Sequence, residues 1–127
     1  MEIKTELYHY QFIEQNPEFT GCVIDKYGNK YWYLNGLNHR EEGPACEWAN
    51  GSKEWYLNGL RHREEGPAIE FADGHKEWHL NGKLHRTDGP AVIDELNGTK
   101  FWYLNGEETT EEQVMRLHKL KGFINGS

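Results

Sequence analysis

Cysteine is scarce in this chain of 127 residues, and long apolar runs are missing. Its two cysteines, Cys22 and Cys46, lie outside any Cys-x-x-Cys spacing, so neither a zinc motif nor a redox motif is expected. No run of apolar residues is long enough for a membrane-spanning helix, and no apolar signal segment follows Met1. These absences predict free thiols in a reducing compartment and a cytoplasmic location.

Basic residues are also in the minority, with 14 Lys and Arg against 21 Asp and Glu, which gives a net charge of −7. No basic stripe is present, so we do not expect direct binding of nucleic acid or of an anionic membrane. An acidic chain instead suits a protein partner with a basic surface. Apolar residues make up only 36%, which predicts a thin, extended layer and not a thick core.

Four near-copies of one segment fill much of the chain. The second copy contains Lys53-Glu54-Trp55-Tyr56-Leu57-Asn58-Gly59, and the copies begin at Gly28, Gly51, Gly74 and Gly98. Their tryptophans fall at 32, 55, 78 and 102, which gives a period of 23, 23 and 24 residues. Self-similarity at a fixed period predicts an array of units that bury their apolar surface by stacking.

Each copy predicts two short strands and two turns. In the second copy the aromatic run 53–57 is typical of a strand, and Asn58-Gly59 favours the positive φ angles of a tight hairpin turn. The run 67–72 then alternates apolar and polar residues, as a second strand does. We therefore predict an all-β fold, a single-layer antiparallel array of β-hairpin repeats, with one short helix near 110–121.

The predicted boundaries follow from these repeats. Residues 1–27 are expected to form N-terminal capping strands, including one at 7–12, and a degenerate repeat. Residues 28–106 are expected to form the repeats, which are divided as 28–50, 51–73, 74–97 and 98–106. Residues 107–127 are expected to form a C-terminal helical cap.

Side-chain alternation separates two faces of the predicted sheet. The Trp face carries Trp32, Trp55, Trp78 and Trp102 with the leucines two residues later; Ile69 and Phe71 are expected beside them, and we predict that this face is structural. The opposite face, the Tyr face, is predicted to be exposed and to bind the partner, because its residues vary between copies. Its predicted binding residues are Tyr33, Tyr56, His79, Tyr103, Glu54, Glu70 and Glu77.

The spacing of Trp55, Gly59, His62, Gly66 and Gly74 resembles the MORN repeat. The resemblance covers about residues 20–106. It departs where MORN repeats usually have glycine after the histidine, since this chain has arginine there. The form W-Y-L-N-G-x-x-H-R-x-x-G-P-A looks more like a variant found in bacteriophage and other viral proteins. The resemblance implies a scaffold for protein contacts, with self-association in some members, and no catalytic residues.

A column of His-Arg pairs recurs with the repeats and is the alternative candidate site. Its members are His39, Arg40, His62, Arg63, His85 and Arg86. Successive copies are about 9–10 Å apart in a sheet, too far for one metal ion, so no metal is expected. The residues either stabilise the loops or form an anion-binding edge, because arginine suits phosphate and carboxylate groups.

Together these patterns predict a non-enzymatic protein-binding module without a cofactor. The resemblance suggests a bacteriophage protein that acts in the host cytoplasm and inhibits a host defence or nucleic-acid-handling protein. One alternative is a binder or sponge for nucleotides or other anions that uses the His-Arg column in an oligomer. A homodimer through the Trp face is a further arrangement to consider, since a single-layer sheet has nothing of its own to cover that face.

Overall fold

The computed structural model describes the backbone of residues 1–126 and the side chains of residues 1–120. The fold is mostly β. The helices are α1 (His9–Gln15) and α2 (Glu111–Gly126). The strands are β1 (Glu2–Lys4), β2 (Gly21–Ile24), β3 (Lys30–Leu34), β4 (Leu37–Asn38), β5 (Cys46–Glu47), β6 (Lys53–Glu54), β7 (Tyr56–Leu57), β8 (Leu60–Arg61), β9 (Ile69–Glu70), β10 (Lys76–Glu77), β11 (His79–Leu80), β12 (Lys83–Leu84), β13 (Val92–Asp94), β14 (Thr99–Leu104) and β15 (Glu107–Thr109).

One large sheet runs through the molecule in the order β1-β2-β3-β5-β6-β9-β10-β13-β14-β15, with β4 paired to β3. Two further sheets have two strands each, β7-β8 and β11-β12. The pair β1-β2 is parallel, so the large sheet is mixed, and its other pairings are antiparallel. The predicted β-rich fold is confirmed, whereas the parallel pair was not expected.

The four Asn-Gly turns have the geometry that the sequence predicts. Asn35, Asn58, Asn81 and Asn105 have φ of 49–50°, and the glycine after each has φ of 80–83°. Both central residues of a type I′ turn need positive φ, and Asn-Gly accepts this at low cost. In the second copy this turn joins β7 to β8, where Leu57 pairs with Leu60. Trp55 lies between β6 and β7, at the point where the chain leaves the large sheet.

The strand predicted at 7–12 is wrong, because α1 occupies most of this stretch. The Tyr8 N–H donates to Oε1 of Gln11, which closes the first turn of the helix. Phe12 and Ile13 pack against the buried cluster around Tyr31 and Tyr33. Tertiary packing of this kind overrides the strand preference of the aromatic residues.

The predicted C-terminal helix is confirmed, and it continues to Gly126. Of the predicted cap 107–127, residue 127 lies outside the described residues. The helix packs on β14, and Val114 is fully buried. Within residues 1–126, no helix is both long and apolar enough to cross a membrane.

The pairing register corrects the assignment of residues to the two faces. Glu54 pairs directly with Ile69, so Ile69 lies on the Tyr face and not beside Trp55. Glu70 pairs with Lys53, which places Glu70 on the Trp face. A shift of one residue in register moves every side chain of a strand to the other face. The prediction for β9 was wrong because the loop from 62 to 68 sets a different register.

Candidate functional site

The Tyr face carries many of the buried side chains of the sheet, among them Tyr31, Tyr33 and Ile69. One row of paired residues crosses the sheet on this face: Val23, Tyr31, Cys46, Glu54, Ile69, Glu77, Val92 and Phe101. Val23 and Tyr31 are buried near α1, whereas Phe101 at the other end of the row is exposed. His9 of α1 stacks on Tyr31 with ring centroids 3.9 Å apart, and its Nδ1 lies 2.9 Å from the Tyr33 hydroxyl. The N-terminal helix therefore covers this end of the Tyr face.

A buried carboxylate lies in the middle of that row. Glu54 is 6% exposed, and its Oε1 accepts hydrogen bonds from the Tyr56 hydroxyl at 2.8 Å and from Nε of Arg61 at 3.1 Å. Burial, with the nearby Glu54 carboxylate, raises the pKa of Tyr56 to about 12. Burial also raises the pKa of the neighbouring Cys46 thiol to about 12. The buried Glu54 carboxylate is thus paired with Arg61, whose side chain reaches solvent.

The third copy holds the equivalent carboxylate, Glu77, with different partners. Its two oxygens contact Nε2 of His75 at 2.7 Å and Nε2 of His79 at 2.9 Å. The hydrogen bond from His79 lowers the pKa of Glu77 to about 2, and the bond from His75 acts in the same direction. Nδ1 of His79 is buried and has no hydrogen-bond partner within the part of the chain that the structure describes. Within the described residues His79 therefore makes its side-chain hydrogen bond through Nε2 alone.

The residues predicted to bind a partner are thus split between the two faces. Tyr33, Glu54 and His79 are buried on the Tyr face, so their predicted exposure is wrong. Tyr56, Glu77 and Tyr103 lie on the same face and are half-buried. Glu70 is half-buried on the Trp face. The predicted surface is therefore not a continuous exposed patch.

Each histidine of the His-Arg column holds the turn of the following copy. Nδ1 of His39, His62 and His85 accepts a hydrogen bond of 2.9 Å from the backbone N–H of Asn58, Asn81 and Asn105, respectively. A nitrogen that accepts carries no proton, so each neutral ring keeps its proton on Nε2. At the N-terminal end, Oγ1 of Thr20 takes the same place and accepts from the Asn35 N–H at 2.9 Å.

The arginines of the column lie on the tryptophans. The guanidinium carbons of Arg40, Arg63 and Arg86 lie 3.8 Å from the ring centroids of Trp32, Trp55 and Trp78, respectively. Their Nη1 groups also donate to the carbonyl oxygens of Pro44, Pro67 and Pro90 at 3.0–3.1 Å. Cation–π stacking and a backbone hydrogen bond therefore fix each side chain.

Acidic residues of the chain itself complete the contacts of these arginines. Arg40 pairs with Glu47 at 3.3 Å, Arg63 with Glu70 at 3.2 Å, and Arg86 with Asp88 at 2.8 Å. An external anion would compete with these carboxylates for guanidinium groups that are already paired. The geometry favours the structural interpretation of the His-Arg column over the anion-binding one.

A glycine makes room for each arginine. A Cβ atom added to Gly43, Gly66 or Gly89 would lie 3.2, 3.1 or 2.8 Å from the nearest guanidinium atom of Arg40, Arg63 or Arg86, respectively. The recurrence of glycine three residues after each arginine was the sequence signal for this packing. This role of the glycines was not predicted from the sequence.

On the Trp face, open grooves lie between the acidic loops. The central one has Trp55 and Leu57 in its lining, flanked by the Glu41-Glu42 and Glu64-Glu65 pairs. A similar groove contains Trp32 and Leu34 next to the first acidic pair. A third contains Trp78 and Leu80, and His118 of α2 lines it as well. We call these three clefts the Trp grooves.

A group of exposed aromatic residues, not predicted from the sequence, lies at the N-terminal end. Tyr8 stacks on Tyr10 at 5.5 Å and lies 6.1 Å from Tyr27. Nζ of Lys26 lies over both Tyr8 and Tyr27. The residues come from the start of α1, where Tyr8 is the N-cap, and from the turn after β2, and no repeat pattern brings them together. This N-terminal tyrosine cluster is a second exposed surface.

No group of three or more His, Cys, Asp and Glu side chains among the described residues is placed to hold a metal ion. Cys22 and Cys46 are buried free thiols. No protein-family model matches the chain, and no curated protein and no solved structure matches it either.

Proposed function

We propose that the chain is a stack of MORN-like hairpin repeats that acts as a non-enzymatic protein-binding module, with the Trp grooves as its docking surface. The observation that carries the proposal is the central groove, where Trp55 and Leu57 are only half-buried between two pairs of exposed glutamates. Apolar side chains within a polar rim are typical of protein interfaces. The Tyr face is less suitable, because Glu54, Tyr33 and His79 are used inside the molecule.

The charge of the surface points to a basic partner. The arginines next to the grooves are already paired with Glu47, Glu70 and Asp88, so they do not neutralise the loop glutamates. A partner with lysine or arginine would be drawn to this surface by electrostatic steering. The resemblance to phage repeat variants suggests a host defence or nucleic-acid-handling protein in the host cytoplasm. Such a protein often has a basic surface that an acidic module can cover.

The proposal is tested by capture of partners from a lysate of the host. The bait is the whole chain, as the parent and as a variant in which Glu41, Glu42, Glu64 and Glu65 are changed to Gln. A matched control changes the four exposed residues Glu2, Glu6, Glu14 and Glu18 to Gln, which alters the net charge equally. The captured protein is then purified, and its Kd is measured with each bait by calorimetry.

We expect the groove variant to bind at least tenfold more weakly than the parent and the control variant to bind like the parent. Equal weakening in both variants would show that only net charge matters. Full binding by the groove variant would place the docking surface elsewhere, with the N-terminal tyrosine cluster as the next candidate. A parent chain that captures no protein, even after crosslinking, would contradict the protein-binding function itself.

A further inference from the structure

The helix α2 packs on β14, and one of its side chains lines a Trp groove. Val114 of α2 is fully buried, and the helix packs on β14. Further along the helix, His118 lines the groove of Trp78 and Leu80. The same groove contains Glu64 and Glu65, so an ionisable nitrogen of the helix shares a cleft with acidic loops. The chain therefore contains its own example of a helix at a Trp groove.

The central groove repeats these features one copy earlier, where no helix of the described chain lines it. Trp55, Leu57 and Arg63 correspond to Trp78, Leu80 and Arg86 after a step of 23 residues. The residues that line the central groove come from strands and loops alone. Two acidic pairs flank it, whereas the groove of Trp78 has Thr87 and Asp88 in place of the second pair.

The distance between grooves also fits a helix. Successive copies are two strands apart, about 9–10 Å, and helices pack with their axes about 8–10 Å apart. A helix seated in the central groove would therefore lie about one helix-packing distance from the groove of Trp78.

We propose that the central Trp groove binds a basic amphipathic helix of the partner protein. Apolar side chains of this helix would contact Trp55 and Leu57, and its lysines or arginines would pair with Glu42 and Glu65. Recognition of a helix in a groove rests on apolar residues at positions i, i+3 or i+4, and i+7. This inference depends on the proposed function and adds the kind of segment that is bound.

A second copy of this chain is a poorer occupant. Each copy carries a net charge of −7, and a face-to-face dimer would bring the loop glutamates of both copies together. Like charges across an interface weaken association. The basic helix avoids this repulsion and replaces it with complementary charge.

The test uses a synthetic amidated peptide of 18 residues, with leucine on one helical face and lysine on the other. A second peptide with glutamate in place of every lysine is the control. Binding to the whole chain is measured by calorimetry at low and high salt. Backbone amide shifts in NMR spectra then locate the binding site.

We expect the lysine peptide to bind, the glutamate peptide to bind at least tenfold more weakly, and the shifts to centre on residues 55–65. Changing Glu42 and Glu65 to Gln, or Leu57→Ser, should weaken the lysine peptide about tenfold. The matched control, Glu14→Gln with Glu18→Gln, should bind like the parent. Urea unfolding of each variant checks that the fold is retained.

Several outcomes would overturn the inference. They are shifts centred on the N-terminal tyrosine cluster, equal binding of both peptides, or equal weakening in the control variant. A concentration-dependent dimer that Leu57→Ser abolishes would make a second copy the occupant. If the host partner depends on the groove glutamates but the lysine peptide does not bind, the helix inference fails while the proposed function stands.

Discussion

Nδ1 of His62 accepts a hydrogen bond of 2.9 Å from the backbone N–H of Asn81, which lies 19 residues further along the chain. Asn81 has a φ of 50° at the start of a tight turn, so its N–H has a fixed direction. The Gly82 N–H next to it donates to the Arg61 carbonyl oxygen at 2.8 Å. These two hydrogen bonds connect the Asn81-Gly82 turn to Arg61 and His62, at the end of the preceding hairpin.

We expect His62→Ala to lower the free energy of unfolding by about 1–2 kcal/mol, because it removes a hydrogen bond and part of the packing between hairpins. His62→Asn should recover at least half of this loss, since an amide oxygen can take the place of Nδ1. Urea unfolding measures both values. Equal losses in the two variants would mean that the ring matters for its volume and not for its acceptor nitrogen.

The glycines beside the arginines offer a graded test. Adding a methyl group should disturb stacking most at Gly89, less at Gly66 and least at Gly43, which follows the contact distances of 2.8, 3.1 and 3.2 Å. We expect Gly89→Ala to cost about 1–3 kcal/mol by overpacking. Thermal unfolding gives the order, and near-UV circular dichroism reports the tryptophans. Stabilisation in all three variants would show that the arginines move aside freely and that backbone entropy dominates.

The local features of this fold were predictable from the sequence. Each Asn-Gly pair specifies its turn through its own φ preferences, and the structure has these angles at all four pairs. The C-terminal helix was predictable for a similar reason, because Thr110 precedes acidic residues in a helical first turn; its Oγ1 accepts from the Gln113 N–H at 3.2 Å. These signals act over a few residues, and sequence reasoning reads them well.

The faces of the sheet were not predictable in the same way. Which face Ile69 joins depends on the loop that precedes it, and a change of one residue in that loop reverses the result. The helix α1 has aromatic residues that also suit a strand, and Phe12 is helical because it packs against residues far along the chain. The location of the candidate site depends on the register of β9 and on α1, because together they determine whether Glu54 or Trp55 is buried.

The buried thiols should be inert until the protein unfolds. Cys46 is 5% exposed and its pKa is raised to about 12 by burial, while burial also raises the pKa of Cys22. Attack by a thiol requires the thiolate, which is rare at pH 8 when the pKa is this high. We expect a disulfide reagent such as DTNB to modify neither cysteine of the native chain within minutes and both in urea. Fast reaction of one thiol in the native state would contradict its burial.

The carboxylate of Glu77 should make the free energy of unfolding depend on pH between about 2 and 4.5. Its pKa is lowered to about 2 from an ordinary value of 4.5, chiefly by the hydrogen bond from His79. A group with a lowered pKa in the folded state stabilises the fold fully above 4.5 and loses that contribution as the pH falls towards 2. Within this window the unfolded chain binds one more proton at Glu77, which corresponds to at most about 1.4 kcal/mol per pH unit.

We expect the free energy of unfolding of the parent chain to fall more steeply between pH 4.5 and 2.5 than that of Glu77→Gln, measured by urea unfolding at each pH. Glu95→Gln is the matched control, because Glu95 is exposed and its ion pair with Lys76 is long, at 3.7 Å. It should keep the slope of the parent chain. A direct check is the carboxyl carbon shift of Glu77 in NMR spectra, which should change near pH 2. If that shift instead changes near pH 4.5, the two histidines do not hold the carboxylate in its ionised form, and the slopes of parent and variant should then coincide.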